Sequence, residues 1–176
     1  PIIALDSGNS YQGIQCTIKT NNEEAAGTGA YKLSGEIENK GGVLLVVHDS
    51  KSASSKERED GFKKEIENNH PDVTIEETIY LDKMDDLKKA IAEEKNKNKK
   101  AEEKEITPDS LTDEDVIQYY LEKHPDVKGC FGTNVTATKL ALSSLKQAEK
   151  SDDIILMGFD GGKDQIESLK NGDIRG

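Results

Sequence analysis

Short apolar runs alternate with longer amphipathic segments along most of the chain. Residues 1–5, 13–20, 43–47, 74–81, 127–133 and 154–159 are predicted strands, because they are apolar or alternate with a period of two. Between them, apolar residues recur at helical spacing, as Phe62 and Ile66 do. Helices are predicted over about 22–35, 55–69, 82–92, 112–121, 134–145 and 163–170.

Strands that are apolar on both faces are typical of a parallel sheet covered by helices. From residue 13 the strand–helix order repeats five times. Short connections then predict an α/β fold, an open parallel sheet flanked by helices on both faces. The sequence HPDV occurs at 70–73 and again at 124–127. Each copy lies between a helix and a strand, so we interpret it as a shared turn rather than a metal site.

Composition makes the expected core lean and the surface strongly acidic. Of 176 residues, 33% are hydrophobic and 34% are charged, and the net charge is −11. This argues against binding to nucleic acid or to anionic membranes, which need clustered cations. The balanced Glu and Lys residues of 93–105 indicate a solvated extension. Cys16 and Cys130 are expected to be free and buried, and the three histidines follow no zinc-site spacing.

Polar side chains follow several of the predicted strands, and they should share one edge of the sheet. These residues are Asp6, Ser7, Asp49, Asn134 and Asp160. Arg58 joins them, because its helix starts just after Asp49. Ligands of open α/β sheets bind at the carboxyl ends of the strands. Carboxylates, an amide and a guanidinium together suit the hydroxyls of a polyol. Alternatively, Asp160 caps the next helix.

Motifs for catalysis are missing from the sequence. There is no Ser-His-Asp order, nucleophile elbow, phosphate loop or metal box, and the glycines of 158–162 do not have the dinucleotide-binding spacing. Asp6 and Asp160 could form a glycosidase pair, but nothing else in the chain supports that chemistry. We therefore predict a protein that is not an enzyme and that uses no cofactor or metal.

Four motifs resemble those of the carboxyl-terminal lobe of type I periplasmic sugar-binding proteins, the ribose- and galactose-binding group. They are PIIALDSG, SSKEREDGFKKEI, GCFGTNVTATKLAL and ILMGFDGGKDQIESLKNGDIRG, in family order. LacI-type repressors share this ligand-binding core. By this resemblance, the ligand-contacting residues are Asp6, Ser7, Arg58, Asn134 and Asp160. Ribose binders commonly carry other residues where this chain has Ser7, Leu81 and Val135, so the resemblance does not identify the sugar.

The resemblance also implies a division of the chain. Residues 1–12 correspond to the hinge-crossing strand and turn from an amino-terminal lobe, and 13–176 to the carboxyl-terminal lobe, with a charged insertion around 93–112. The chain starts inside a predicted strand without Met, so we expect it to be part of a longer protein.

The implied function is binding of a solute, expected to be a monosaccharide, by hinge closure. The protein would serve an ABC-type importer or a sensory system outside the cytoplasm, in the periplasm or lipid-anchored at the cell surface. Its partner would be a membrane permease or a sensor. The alternatives are the effector-binding core of a LacI-type regulator and an enzyme on the same fold, and the segment preceding Pro1 would distinguish the first two.

Overall fold

The computed structural model describes residues 1–6, 11–97, 99 and 104–176, so Ser7 and part of the charged stretch lie outside the described residues. The strands are β1 (Ile2–Leu5), β2 (Ile14–Ile18), β3 (Gly41–Val47), β4 (Val73–Tyr80), β5 (Val127–Gly132) and β6 (Ile155–Met157). The helices are α1 (Asn22–Glu36), α2 (Ala53–Asn69), α3 (Met84–Lys97), α4 (Asp113–Lys123), α5 (Val135–Gln147) and α6 (Lys163–Asn171).

The predicted open parallel sheet is confirmed. Its strand order is β4-β3-β5-β6, and every pair is parallel. The central strand β3 is buried from Gly42 to Val47, as expected for a strand covered on both faces.

Two hydrophobic clusters cover the two faces of this sheet. On one face, Leu33 of α1 and Phe62 of α2 pack with Phe131 of β5. On the other face, Ile117 of α4 and Leu145 of α5 belong to the second cluster, which also includes residues of α3. Helices therefore lie on both faces, and the polar chemistry is left to the ends of the strands.

The first two strands do not join the main sheet. β1 and β2 pair only with each other, in parallel. The prediction that residues 13–20 begin the main sheet is therefore wrong. In β2 the side chains from Gln15 to Ile18 are all exposed, so this strand does not pack into either hydrophobic cluster of the main sheet.

Polar side chains fix the starts of several helices. Ser52 accepts a hydrogen bond from the Ser55 N–H at the start of α2. Thr112 and Asp115 form a capping box at the start of α4. By contrast, Asn21 occupies the N-cap position of α1 without a side-chain capping bond and donates instead to Glu24.

Hydrogen bonds also connect residues near the end of α3 and at the end of the chain. Asn96 Oδ1 accepts the Ile106 N–H at 3.0 Å, and its Nδ2 donates to the Ile106 carbonyl at 2.7 Å. After α6, the Arg175 N–H donates to the Leu156 carbonyl and the Gly158 N–H donates to Gly176. The chain end thus runs beside β6, the edge strand of the sheet.

The two cysteines are both free, as predicted, but the prediction that both are buried is wrong for Cys16. Cys130 is buried and Cys16 is exposed on the β1–β2 pair. Burial raises the pKa of the Cys130 thiol to about 12. We expect iodoacetamide to label Cys16 in the native protein and Cys130 only after unfolding, because the thiolate is the reactive form. Mass spectrometry of the labelled peptides would show this, and equal labelling rates would contradict it.

Among the described residues, none of the helices has the length and apolar character needed to cross a membrane.

Candidate functional site

Arg58 lies at the centre of a polar cluster at the carboxyl ends of β5 and β6. Its side chain is almost fully buried, and its Nε–H donates to Asn22 Oδ1 at 2.9 Å. Its Nη1 donates to the Thr133 carbonyl at 2.7 Å and lies 3.3 Å from Asp160 Oδ1. The guanidinium stacks on the Phe159 ring, 3.8 Å from its centroid. We call these five residues the Arg58 cluster.

Close packing of α1 against α2 brings Asn22 to Arg58. Gly61 of α2 lies against the backbone of Glu23 in α1, and a Cβ at position 61 would be 2.1 Å from the Glu23 carbonyl oxygen. Asn22 is the first residue of α1 and is only 3% exposed. The absence of a side chain at Gly61 therefore lets one helix start beside the other, with Asn22 facing α2.

A charged chain of contacts links the segment after β2 to this cluster. Lys19 forms an ion pair with Glu57 of α2, and Glu57 accepts a hydrogen bond from Asn22 Nδ2 at 2.9 Å. The bond from Lys19 and the bond from Asn22 together lower the pKa of the Glu57 carboxyl. Asn22 thus holds Glu57 with its amide NH₂ and Arg58 with its carbonyl oxygen, so it positions the guanidinium.

Asp160 follows β6 and projects to the surface of the cluster. Its side chain is 39% exposed, and its backbone has a φ of 71°. It does not cap the next helix, because Gly162 is the N-cap of α6. The alternative that Asp160 is only a capping residue is therefore wrong, and its carboxylate lies beside Arg58 instead.

Asn134 lies next to Thr133 and has two available functions. Its Oδ1 accepts the Ala137 N–H at 2.8 Å and caps α5. Its Nδ2 makes no hydrogen bond within the described ranges of the chain. The capping bond fixes the side chain, and the free NH₂ group can still donate to a ligand.

The structure does not bring Asp6 to this cluster, and Ser7 lies outside the described residues. Asp6 follows β1 of the separate two-stranded sheet, is exposed, and has a φ of 68°. Its N–H donates to the Ile18 carbonyl at 2.8 Å. The expectation that all five predicted residues share one edge of the main sheet is thus wrong for Asp6, because β1 does not belong to that sheet.

His48 is a further residue of this edge that the sequence reasoning missed. It follows β3, and its ring Nδ1 is 2.7 Å from the Thr133 hydroxyl, which also accepts the His48 N–H at 3.0 Å. Burial lowers the pKa of the imidazole, against the opposing effect of the Asp49 carboxylate. A polar residue directly after the most buried strand was the available signal.

Asp49 organises the loop between β3 and α2 and has little capacity left for a ligand. Its Oδ1 accepts the N–H groups of Lys51 and Ser52 at 2.7 and 2.6 Å, and its Oδ2 accepts the Ser52 hydroxyl at 2.7 Å. The Ser52 N–H, with these other donors, lowers the pKa of the Asp49 carboxyl to about 2. Its role is to hold the start of the helix that carries Arg58.

This ionised carboxylate predicts an acid-dependent loss of stability. Because the folded pKa lies below the unfolded value, its contribution is complete above about pH 5 and fades as pH falls toward about 2. When the pH falls from about 6 to about 2.5, the unfolding free energy of the protein should decrease by about 1–2 kcal/mol more than that of the Asp49→Asn variant. Urea unfolding at both pH values measures this difference. Asp72→Asn, at an exposed turn, should behave like the unaltered protein.

The Arg58 cluster and the neighbouring Asn134 leave donors and acceptors free at the surface of the sheet edge. Within the described residues, Arg58 Nη2 and Asn134 Nδ2 have no hydrogen-bond acceptor, and Asp160 Oδ2 has no donor. These groups offer two donors, on Arg58 and Asn134, and one charged acceptor, the exposed Asp160 carboxylate. Such a set binds neighbouring hydroxyls, which donate to a carboxylate and accept from Arg and amide N–H groups.

Comparison with known proteins places this fold among solute-binding proteins. The family described as "Periplasmic binding protein domain" matches residues 1–176. A carbohydrate transporter solute-binding protein from Agrobacterium radiobacter, solved with D-arabinose, superposes with a TM-score of 0.75 at 19% identity, covering 99% of this chain and 52% of that chain. AraP, an arabinose binding protein from Geobacillus stearothermophilus, gives 0.71 at 22% identity, with coverages of 99% and 51%.

A curated relative matches more closely over a shorter region. The D-apiose import binding protein of Paraburkholderia graminis is 42% identical over 60 residues, which are 34% of this chain and 19% of that protein. The chain spans about half the length of the two solved structures described above. Because the family match covers the entire chain, this chain belongs to the periplasmic binding protein domain family.

Proposed function

We propose that this chain is the carboxyl-terminal lobe of a solute-binding protein that binds a monosaccharide. Asp160, Arg58 and Asn134 would bind the sugar hydroxyls at the carboxyl ends of β5 and β6. The observation that carries this proposal is the Arg58–Asp160 pair, whose 3.3 Å contact lies at the sheet edge with polar groups still unpaired around it. Asp6 and Ser7 would join the ligand from the segment at the hinge.

The relatives suggest the size of the sugar. D-arabinose is bound in one similar structure, and the names of two further relatives refer to arabinose and D-apiose. These are five-carbon sugars, whereas two other similar structures are a glucose-galactose binding protein and a solute-binding protein with bound D-allose, and those sugars have six carbons. A pentose is therefore the first class to test for this chain, with hexoses as the comparison.

The site of one lobe forms only one wall of a sugar pocket. The similar solved structures are about twice as long as this chain. In our proposal, residues 1–12 cross from an amino-terminal lobe, 13–176 form the second lobe, and 93–112 are an insertion within it. The missing lobe would supply the opposite wall, and the two would close on the sugar about the hinge.

The partner and location follow from the same proposal. The complete protein would deliver its sugar to the membrane permease of an ABC-type importer, or signal to a membrane sensor, outside the cytoplasm. The relatives described above are solute-binding proteins rather than enzymes, and none is a repressor. The LacI-type alternative therefore has no support from them.

A thermal-shift screen of the complete two-lobed protein tests this function. We expect one or more pentoses to raise its melting temperature, because a ligand that binds only the native state stabilises it. Amino acids serve as the comparison class, since other solute-binding proteins could carry them. Stabilisation by amino acids and by none of the pentoses or hexoses would contradict a sugar-binding function.

A second measurement tests the division into lobes. The 176-residue chain alone should bind the same sugar with a dissociation constant weaker than about 1 mM, because one wall buries too little of the ligand. Isothermal titration calorimetry can compare the chain with the complete protein. Micromolar or tighter binding by the chain alone would show that the second lobe is not needed.

A further inference from the structure

Three side chains that can bind a metal meet at the opposite edge of the sheet, where the strands begin. They are Glu76 of β4, His124 at the end of α4 and Asp126 in the turn before β5. One ligand atom from each lies within 4.8 Å of the other two. His124 Nδ1 is 3.1 Å from Glu76 Oε2, close to the separation of about 3.3 Å between two ligands of a tetrahedral Zn²⁺ ion.

The geometry of the sheet brings these residues together across an intervening strand. β3 separates β4 from β5, and Gly42 of β3 has no side chain at this point. A Cβ at Gly42 would be 2.7 Å from Glu76 Cγ. The carboxylate of β4 therefore lies over β3 and reaches the turn before β5 only because position 42 is glycine.

Alternation along β4 gives Glu76 its direction. Ile75 pairs with Val43 and contacts the cluster under α1 and α2, so the next side chain, Glu76, points to the opposite side of the sheet, that of α4. A register shift follows at this point, since Glu77 pairs with Leu44 and Glu76 is the extra residue of a bulge-like irregularity. The shift puts Ile79 on the α4 side as well, where it belongs to the cluster of that face.

The two copies of the HPDV turn differ in the way a metal site requires. His70, in the first copy, is 6% exposed, and its ring nitrogens contact Asn39 and Glu65. His124, in the second copy, is 23% exposed and contacts only Glu76 among the described residues. Both residues end a helix in the same way, since each N–H donates to the carbonyl four positions earlier. In the first copy, both ring nitrogens of the histidine have partners. In the second copy, only Nδ1 of the histidine has a contact among the described residues.

The surroundings of His124 favour a cation. The carboxyl end of α4, where carbonyl groups carry a partial negative charge, lies at this residue. The chain as a whole has a net charge of −11. A divalent ion would bring the Glu76 and Asp126 carboxylates together without mutual repulsion.

We propose that Glu76, His124 and Asp126 bind a divalent transition-metal ion of the Zn²⁺ class. One imidazole with two carboxylates is a ligand set that Zn²⁺ accepts, whereas Mg²⁺ and Ca²⁺ prefer oxygen ligands throughout. Water would complete the coordination. The ion would tie β4 to the turn between α4 and β5, at the edge of the sheet opposite the Arg58 cluster. It would therefore stabilise the lobe without taking part in sugar binding.

Calorimetric titration with ZnCl₂ tests this site in the protein carrying Cys16→Ser, which removes the exposed thiol as a competing ligand. We expect one ion per chain, and a loss of at least about tenfold in affinity in both Glu76→Gln and His124→Gln. Asp126→Asn should weaken binding by a smaller factor, because this side chain is the most exposed of the three.

The matched control is Asp72→Asn, which alters the corresponding acid of the first HPDV copy. It should leave Zn²⁺ affinity unchanged. Thermal unfolding without metal, followed by circular dichroism, shows whether each variant is folded. If His124→Gln fails to fold, the Zn²⁺ affinity of Glu76→Gln tests the proposal, because His124 is kept in that variant. No saturable Zn²⁺ binding, or binding that is the same in Glu76→Gln as in the parent protein, would overturn the proposal.

Discussion

Arg58→Ala should weaken monosaccharide binding by about 10- to 100-fold in the complete protein, the range for loss of a charged hydrogen bond. The guanidinium is positioned by Asn22 and Thr133, stacks on Phe159 and lies beside Asp160. Asp160→Asn should weaken binding to a similar extent, because it removes the charged acceptor of the hydroxyls. Calorimetry with the sugar that stabilises the protein most measures both effects.

Loss of Arg58 also leaves two buried acceptors without their donor, so stability must be measured beside affinity. Asn22 Oδ1 and the Thr133 carbonyl lose these bonds in Arg58→Ala. Arg58→Lys keeps the positive charge but loses the planar guanidinium, so it separates the contribution of the charge from that of the hydrogen-bond geometry. Arg175→Lys is the matched control on an exposed arginine. Unchanged affinity in Arg58→Ala and Asp160→Asn would place the sugar elsewhere.

Gly61→Ala should destabilise the protein by about 1–3 kcal/mol, because the added methyl group has no room between α1 and α2. Its Cβ would be 2.1 Å from the Glu23 carbonyl oxygen and 2.7 Å from the Glu23 Cα, and these are backbone atoms that cannot rotate away. The helices must separate, and Asn22 then moves away from Arg58. The substitution should therefore also weaken sugar binding, although Gly61 is not in the Arg58 cluster.

Gly35→Ala is the control for the effect of alanine itself. A Cβ at Gly35, near the end of α1, meets nothing within 4 Å. This variant should be unchanged or more stable by up to about 1 kcal/mol, since alanine favours helix. Urea unfolding of both variants measures the contrast. Equal stabilities would mean that the two helices are not held at the distance described.

Apolar patterning was sufficient to predict the main sheet and most of its helices. β3 and β5 are nearly continuous apolar runs between helices of regular period, and such runs have few alternatives to a buried parallel strand. The helices predicted to start near 112 and 134 do begin there, at the N-caps Thr112 and Asn134. The same reasoning failed for β2, since a short strand does not reveal which sheet it joins.

The candidate site was predictable in part, because the positions after strands can be read from the sequence but contacts between elements cannot. Arg58, Asn134 and Asp160 could be assigned to one edge by their places in the strand–helix order. The contribution of Asn22 depends on the approach of two helices at Gly61, which is a property of packing. The meeting of Glu76 with His124 depends on the pairing of β4 beside β3 and on the absence of a side chain at Gly42, so local spacing did not indicate it.

The crystal structure of the complete protein with its most stabilising pentose tests the central claim most directly. The account predicts sugar hydroxyls within hydrogen-bond distance of Asp160 Oδ2, Arg58 Nη2 and Asn134 Nδ2, at the carboxyl ends of β5 and β6. It also predicts that the contacts of Arg58 with Asn22 and Thr133 remain as they are here. A sugar bound without contact to Arg58 or Asp160 would contradict it.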